Sequence, residues 1–469
     1  MIERQAVQRS ELRRLANSVA NLAQTLEQVE DFPTDTARDF CRIIKETASL
    51  IGAHISRAPE GKLLHVHFLL IQFGEHLRYP ERSRIEQTPW SVVQATESFL
   101  QAHVGSKCKF IVRPQWHYNY ALVGDFIEAY TKQITELKDW LPLPTWRERI
   151  GNSLETQIYC ISFPRVEKMN VLLHVNWGHE VGHILARDWL RTRFGNIWKA
   201  NTAGIRRRLR AMVMKPYTGS YKPPGMVVNA KVADLLKETM HLARATLKEL
   251  ISDAVGAHLF GPAALASLGE FSCHNVLDAN PLQCRGYPPW RYRLRAVSRA
   301  VVPSLKRADK SGWQEILKTY AQWTEAWTDI AKPRSDHKII DADMRSKEAY
   351  ALIKANWPRI WRQVLSQLPR TLQMPYRLQL RHHVVSELIE RLEGGIPPNE
   401  TGVWPDTEPA SLADIWNAAW ACKIYHFKKE PGPLLDYYLG TLFQLTLKAI
   451  ETSYVHGEYR PLLAQQEAT

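Results

Sequence analysis

The sequence predicts a mainly α-helical protein with one small β-sheet, an α+β fold. Three observations predict it. Apolar residues recur at three- and four-residue spacing over long stretches, and the clearest β-prone runs lie within residues 108–163. The composition, 45% hydrophobic and 10% aromatic over 469 residues, describes a folded chain long enough for a sizeable core and about three domains of ordinary size.

Leu12, Leu15, Val19, Leu22, Leu26 and Val29 are spaced 3-4-3-4-3, the seam of a helix lying along another helix. Pro33 ends that helix, and a second is expected over residues 36–55. Residues 62–77 and 91–103 carry helical and strand signals by turns and stay open. Residues 108–112 are β-prone, Pro114 interrupts them and 118–123 resume, as a hairpin or as two strands of a small sheet. A helix over 125–141 follows, and Trp140-Leu141-Pro142-Leu143-Pro144 punctuates the chain near a first domain boundary.

Residues 157–163 read as a strand, 167–191 as a helix and 228–260 as a long helical region. Between Arg187 and Lys222 lie ten Lys/Arg and one acid, including Arg206-Arg207-Arg208-Leu209-Arg210. That run is either a solvated helix face followed by a Pro/Gly loop at 215–225, or a surface for nucleic acid or acidic peptide. From residue 300 onward the chain reads as helices. Trp313, Ile316, Leu317, Tyr320, Trp323 and Trp327 form a core stripe, and 332–345 and 393–410 are loops. Ser411 with Asp414 marks a helix start, and the last helix is expected over 434–454.

The net charge of +13 and a pI near 9.4 are compatible with acidic partners, nucleic acid, an anionic membrane surface or acidic protein segments, and equally with a basic protein whose charge serves solubility alone. Cys41, Cys108, Cys160, Cys273, Cys284 and Cys422 form no C-x-x-C pair and read as reduced thiols. Neither a signal-peptide core nor 18 uninterrupted apolar residues occurs, so a cytoplasmic protein without a membrane span is expected.

Residues 176–188 read N-W-G-H-E-V-G-H-I-L-A-R-D and contain His179-Glu180-Val181-Gly182-His183. On a helix, residues four apart share a face, so both imidazoles can aim at one zinc ion while Glu180 stands beside it as a base. The flanks are apolar (Val171, Leu172, Val175, Ile184, Leu185, Trp189), and three ionisable groups buried there cost several kcal/mol unless paired or metal-bound. Gly178 and Gly182 are each unfavourable in a helix by roughly 1 kcal/mol and share one face, which implies a close neighbour.

Glu249 and Asp253 stand four apart among Leu247, Leu250, Ile251 and Val255. Glu249 is the expected third zinc ligand, leaving a fourth position for water, and Asp253 the expected acceptor of a ligating imidazole's spare N–H. A salt bridge to Arg244, Lys248 or another cation is the plain alternative, and Glu238, with His241 three residues on, is a rival third ligand.

H-E-x-x-H followed by a downstream E-x-x-x-D resembles the gluzincins, zinc metallopeptidases whose third ligand is a glutamate. The residues after His183 lack the metzincin G-x-x-H continuation. The long gap to Glu249 is similar to that of the CAAX prenyl endopeptidases and their bacterial heat-shock relatives, which carry a downstream H-P-x-x-x-x-R element. Here Tyr287-Pro288-Pro289-Trp290-Arg291-Tyr292-Arg293 keeps that spacing with Tyr in place of His. The resemblance covers about 160–300. It implies a zincin-like core in which an edge strand beside the motif helix holds an extended substrate, Tyr287 donates to the transition state and Arg293 is a supporting cation, with plain loop structure at Tyr287-Pro288-Pro289 as the alternative reading of those residues. The chain lacks that family's transmembrane helices, so membrane embedding and prenyl substrates are not implied.

The expected organisation is a mostly helical region over 1–145, a zincin-like catalytic core over 146–300 and a helical region over 301–469. The expected function is a zinc-dependent metallopeptidase, with one Zn2+ on His179, His183 and Glu249, Glu180 as general base, and a protein or peptide substrate. The alternative is a zinc-containing nucleic-acid-binding or regulatory protein without peptidase activity, engaging an acidic partner or nucleic acid through 187–222.

Overall fold

A computed structural model of the chain describes residues 2–105, 107–217, 223–273, 288–330, 344–368, 370, 373–402, 407–429 and 432–467. Contacts divide the chain into two units, Met1–Val171 with Ile450–Thr469, and Leu172–Ala449. The architecture is mainly helical with two small sheets, as the apolar periodicity predicts.

In the first unit, helix α1 (Ile2–Glu27) packs along α2 (Thr36–His54). Its buried seam is Leu12, Ala16, Val19, Ala23 and Leu26, whereas Leu22 is 48% exposed. The seam therefore keeps the expected heptad rhythm but runs through alanines. A methyl group in place of Gly52's hydrogen would lie 3.3 Å from Ala16 Cβ, so small residues on both helices set the close approach. Helices α3 (Glu60–His76), α4 (Arg78–Glu81) and α5 (Trp90–Val104) settle the two open stretches as helical.

Strands β1 (Cys108–Gln115), β2 (Ala121–Val123) and β3 (Gln157–Pro164) form a sheet ordered β1-β3-β2, with β1 parallel and β2 antiparallel to β3. The first two strands thus form no hairpin; each pairs with β3. Pro114 sits inside β1, which tolerates a missing N–H because it lies at the sheet edge. The expectation of an edge strand at 157–163 is not met, since β3 is the central strand and both its edges are occupied. Helix α6 (Phe126–Thr135) begins at Asp125, whose carboxylate caps the Ile127 and Glu128 N–H groups, and α7 (Leu143–Ile150) follows.

The second unit contains α8 (Trp177–Thr192), α9 (Phe194–Met214), α10 (Gly225–Phe260), α11 (Pro262–Ser272), α12 (Trp290–Lys306), α13 (Glu315–Ile330), α14 (Met344–Leu365), α15 (Leu378–Glu393) and α16 (Leu412–Lys429). Helix α17 (Pro433–Glu467), longer than expected, begins in this unit. The motif helix starts at Trp177, ten residues later than expected; residues 165–167 and 171–176 are 3-10 turns instead. Helix α10 packs against α8, α9, α12 and α14 and becomes buried all round towards its C-terminal end.

Buried Asn417 ties several elements together. It accepts from Ala263 N and the Tyr320 hydroxyl and donates to Phe260 O and Ala413 O. Leu317 and Tyr320 of the aromatic stripe are fully buried, and Ser411 Oγ caps Asp414 N at the start of α16. Strands β4 (Glu400–Thr401) and β5 (Glu408–Pro409) pair within the expected 393–410 loop. Met344 and Arg345 belong to α14, while 331–343 lie outside the described residues. No helix among the described residues is long and apolar enough to cross a membrane.

Candidate metal centre

The site lies where α8 crosses α10. A Cβ on Gly178 would fall 2.6 Å from Phe260 Cε2, and one on Gly182 would fall 2.6 Å from Ser252 Cα and 2.8 Å from Ser252 O. Gly256 on α10 answers them, its added Cβ 3.4 Å from His179 N. Glycines on both helices thus let the backbones meet, and the side chains beside them are brought within bonding reach.

His179 and His183, one turn apart, stand with ring centroids 4.6 Å apart and nearly perpendicular planes. Donor atoms of His179, Glu180 and His183 all lie within 4.8 Å of one another. Across the crossing, Glu249 Oε2 is 3.5 Å from His179 Nε2 and Glu249 Oε1 is 3.9 Å from His183 Nε2. Glu180 Oε2 is also 3.9 Å from His183 Nε2, but the Glu249 carboxylate presents one oxygen to each histidine.

The far side of each imidazole is held. His179 Nδ1 donates to Asp253 Oδ1 at 2.8 Å. Ser252 Oγ spends its single hydrogen on Lys248 O at 2.8 Å, so at 2.7 Å from His183 Nδ1 it accepts the imidazole N–H. Both rings therefore turn Nε2 towards Glu249. Arg293, on α12, grips Asp253 with two hydrogen bonds of 2.8 and 2.9 Å and places Nη2 3.6 Å from Glu249 Oε2. Its guanidinium also lies over the Trp290 ring, 4.4 Å from the centroid.

The electrostatics of the cluster follow from this packing. Burial works against charge on His179, but Asp253 and Glu249 outweigh it and push the imidazole up to about 9. Burial and the neighbouring His179 charge push His183 down to about 3. Burial raises Glu180 to about 7 against the pull of His179. Burial likewise opposes ionisation of Glu249, yet the His179 hydrogen bond and Arg293 hold it at about 2; Asp253, also buried, is held below the usual carboxylate range by Arg293 and His179. A proton on His179 thus stands where a cation would.

The donor set suits a divalent metal. Bonds of about 2.0–2.2 Å at tetrahedral angles place ligand atoms roughly 3.3–3.6 Å apart; the 3.5 Å His179–Glu249 separation falls in that range and the 3.9 Å His183–Glu249 separation lies a few tenths of an ångström beyond it. With both imidazoles neutral and Glu180 ionised, Glu180, Glu249 and Asp253 would bring three negative charges and Arg293 one positive, a balance that a divalent ion would complete and that the proton on His179 otherwise helps to supply.

Of the other residues singled out from the sequence, Glu238 is excluded. It is more than half exposed, pairs with Arg345 at 2.6 Å, and lies eleven residues up α10 from Glu249, about 16 Å by helical rise. Among the described residues Glu249 pairs with His179, His183 and Arg293, so the cation partner expected as the plain alternative is Arg293 and not Arg244 or Lys248. Tyr287 lies outside the described residues. Ser252 and Trp290 escaped the sequence reading; the signal for Ser252 was its place inside Glu249-Leu250-Ile251-Ser252-Asp253, one turn above Lys248. The basic run is divided, with Arg206, Arg207 and Arg210 exposed on α9 while Arg208 pairs with buried Glu348 at 2.7 Å. The described cysteines, Cys41, Cys108, Cys160, Cys273 and Cys422, are free thiols, and Cys284 lies outside the described residues.

No protein-family model, no curated protein and no solved structure matches the chain.

Proposed function

We propose that the chain is a zinc-dependent metallopeptidase of gluzincin type, with His179, His183 and Glu249 holding one zinc ion. The observation that carries this reading is the convergence of two imidazole Nε2 atoms on one carboxylate while both Nδ1 positions are occupied by Asp253 and Ser252. Orientation of ligand imidazoles by hydrogen bonds behind them is what a zinc site requires. Glu249 is preferred to Glu180 as the third ligand because its two oxygens address both histidines.

When bound, zinc polarises the scissile carbonyl and lowers the pKa of a water towards about 7. Glu180, 3% exposed, accepts the proton of the attacking water on its carboxylate. The water oxygen bonds to the carbonyl carbon, the C–N bond breaks, and Glu180 returns the proton to the departing amine nitrogen. Asp253 and Ser252 keep the two rings from rotating, and Arg293 fixes Asp253. A peptide or protein is the substrate class, and Tyr287 remains the proposed donor to the oxyanion.

Glu180→Gln tests the reading: zinc content should stay at the wild-type level while hydrolysis of a casein or quenched-peptide library falls at least 1,000-fold, roughly the combined loss expected for a missing base. Retained hydrolysis in that variant would remove Glu180 from the mechanism. The second reading, a nucleic-acid-binding or regulatory protein, draws on exposed Arg206, Arg207 and Arg210. It requires nucleic-acid affinity that falls steeply with salt, and no affinity at low salt excludes it.

A further inference from the structure

Leu250 and Ala254 each follow a carboxylate of the candidate metal centre by one residue, so they point about 100° round α10 from it. There they form the floor of a separate cavity of about 480 Å³ between α10, α12 and α14. The volume lies within the roughly 300–1,000 Å³ typical of small-molecule sites. Ile353 adds an apolar wall, and Trp357 and Trp361, with rings inclined by only 5°, add a second wall of aromatic carbon.

Three cations line the same cavity: Arg295 and Arg299, one turn apart on α12, and Lys354 on α14. Among the described residues none of the three has a carboxylate partner. Some cations elsewhere in this unit are matched, Arg208 by Glu348, Arg381 by Asp414 and Lys423 by Glu270, and others, such as Arg206 and Arg207, stand exposed on α9 without lining a cavity. Like charges four apart on a helix repel. Burial and the charge of Arg299 hold Arg295 below its ordinary range, so the pair carries electrostatic strain that an anion would relieve. An apolar cavity with a few convergent cations is complementary to a molecule with a greasy body and an anionic head.

We propose that this cavity binds a small amphipathic anion, an aromatic or aliphatic carboxylate, its body against Leu250, Ala254, Trp357 and Trp361 and its head on Arg295, Arg299 and Lys354. The proposal stands apart from the hydrolytic reading and needs no metal. A single small molecule is favoured over a peptide segment by the cavity's size and by the grouping of its charges on α12 and α14.

The test uses the full-length chain and two fluorescent probes of the same shape, anionic 1-anilinonaphthalene-8-sulfonate and uncharged N-phenyl-1-naphthylamine. The anionic probe should bind saturably at one site, more tightly than the neutral one, and dodecanoate should displace it. Arg295→Gln with Arg299→Gln should weaken the anionic probe about tenfold and the neutral probe little, as expected for lost charge-assisted contacts. Ala300→Trp, which fills the exposed mouth and keeps the cations, should weaken both. This second variant decides the matter if the double variant does not fold. Equal binding of the two probes, unchanged affinity in a folded double variant or in Ala300→Trp, or displacement by a capped acidic-aromatic pentapeptide but not by dodecanoate, would each overturn the proposal.

Discussion

Replacing Gly182 with alanine tests the crossing on which the proposed metal centre is built. The new methyl carbon would sit 2.6 Å from Ser252 Cα and 2.8 Å from Ser252 O, both backbone atoms that no rotamer change can move. Carbon atoms pack at about 3.5–4.0 Å, so α8 and α10 must separate by about 1 Å. Forcing such a contact costs about 1–3 kcal/mol. The same shift stretches the 2.7 Å bond between Ser252 Oγ and His183 Nδ1 beyond hydrogen-bonding range, which adds about 1 kcal/mol. Alanine's better helix propensity returns about 1 kcal/mol, leaving a net destabilisation of about 1–3 kcal/mol. Gly440→Ala on α17 is the control, because nothing lies within 4 Å of its new methyl; it should be neutral or stabilising by up to about 1 kcal/mol. Equilibrium urea unfolding of the wild type and both variants, with zinc affinity measured by chelator competition, reads both effects. If Gly182→Ala unfolds at the wild-type urea concentration and binds zinc as well, the close crossing does not position the ligands.

Ser252→Ala strips His183 Nδ1–H of its acceptor and should weaken zinc binding about 10–100-fold, measured by chelator competition, with unchanged affinity counting against Ser252 as an orienting group. Arg293→Met leaves buried Asp253 without its two-pronged partner, and urea unfolding should register a loss of about 3–5 kcal/mol; a loss below about 1 kcal/mol would mean that the pair is not the anchor of α12 on α10. In the first unit, burial and the charge of Arg78 depress His76 from 6.5 to about 4. Between those values the unfolded chain binds a proton that the folded chain does not. The contribution is therefore complete above pH 6.5, shrinks as pH falls and is gone below about 4, amounting to about 1–2 kcal/mol once partial solvent exposure is allowed for. His76→Gln should flatten the stability profile in that window by this amount, and an unchanged slope would exclude the histidine as its source.

The helical fold and the pairing of the candidate site's residues on shared helix faces were legible because their signals are local. His179 and His183, like Glu249 and Asp253, lie one turn apart on single helices, so spacing alone places each pair on one face. Apolar neighbours separated Glu249 from Glu238, which follows Lys237 and ends in solvent beside Arg345. The close approach at Gly178 and Gly182 was legible too, since glycines in a helix interior need a packing reason. The identity of the approaching helix was not, because it depends on a long-range crossing. For the same reason Ser252 went unnoticed: a serine within a helix commonly bonds to the carbonyl four residues back, and only the crossing makes it a partner of His183. Strand order was equally hidden, since the parallel pairing of β1 with β3 joins residues 49 apart and leaves no local mark. The start of α8 was misplaced because apolar Val171, Leu172 and Val175 suit a buried 3-10 turn as well as an α-helix.

Metal analysis is the most direct test of the zinc centre. Purified wild type, His179→Ala and Glu249→Ala should be exchanged against the same zinc-containing buffer, desalted and measured by mass spectrometry for zinc per chain, with circular dichroism to establish that each is folded. The account predicts close to one zinc per wild-type chain and a loss of most of it in both variants. A folded wild-type protein without stoichiometric zinc, or a Glu249→Ala variant that keeps its zinc in full, would contradict it.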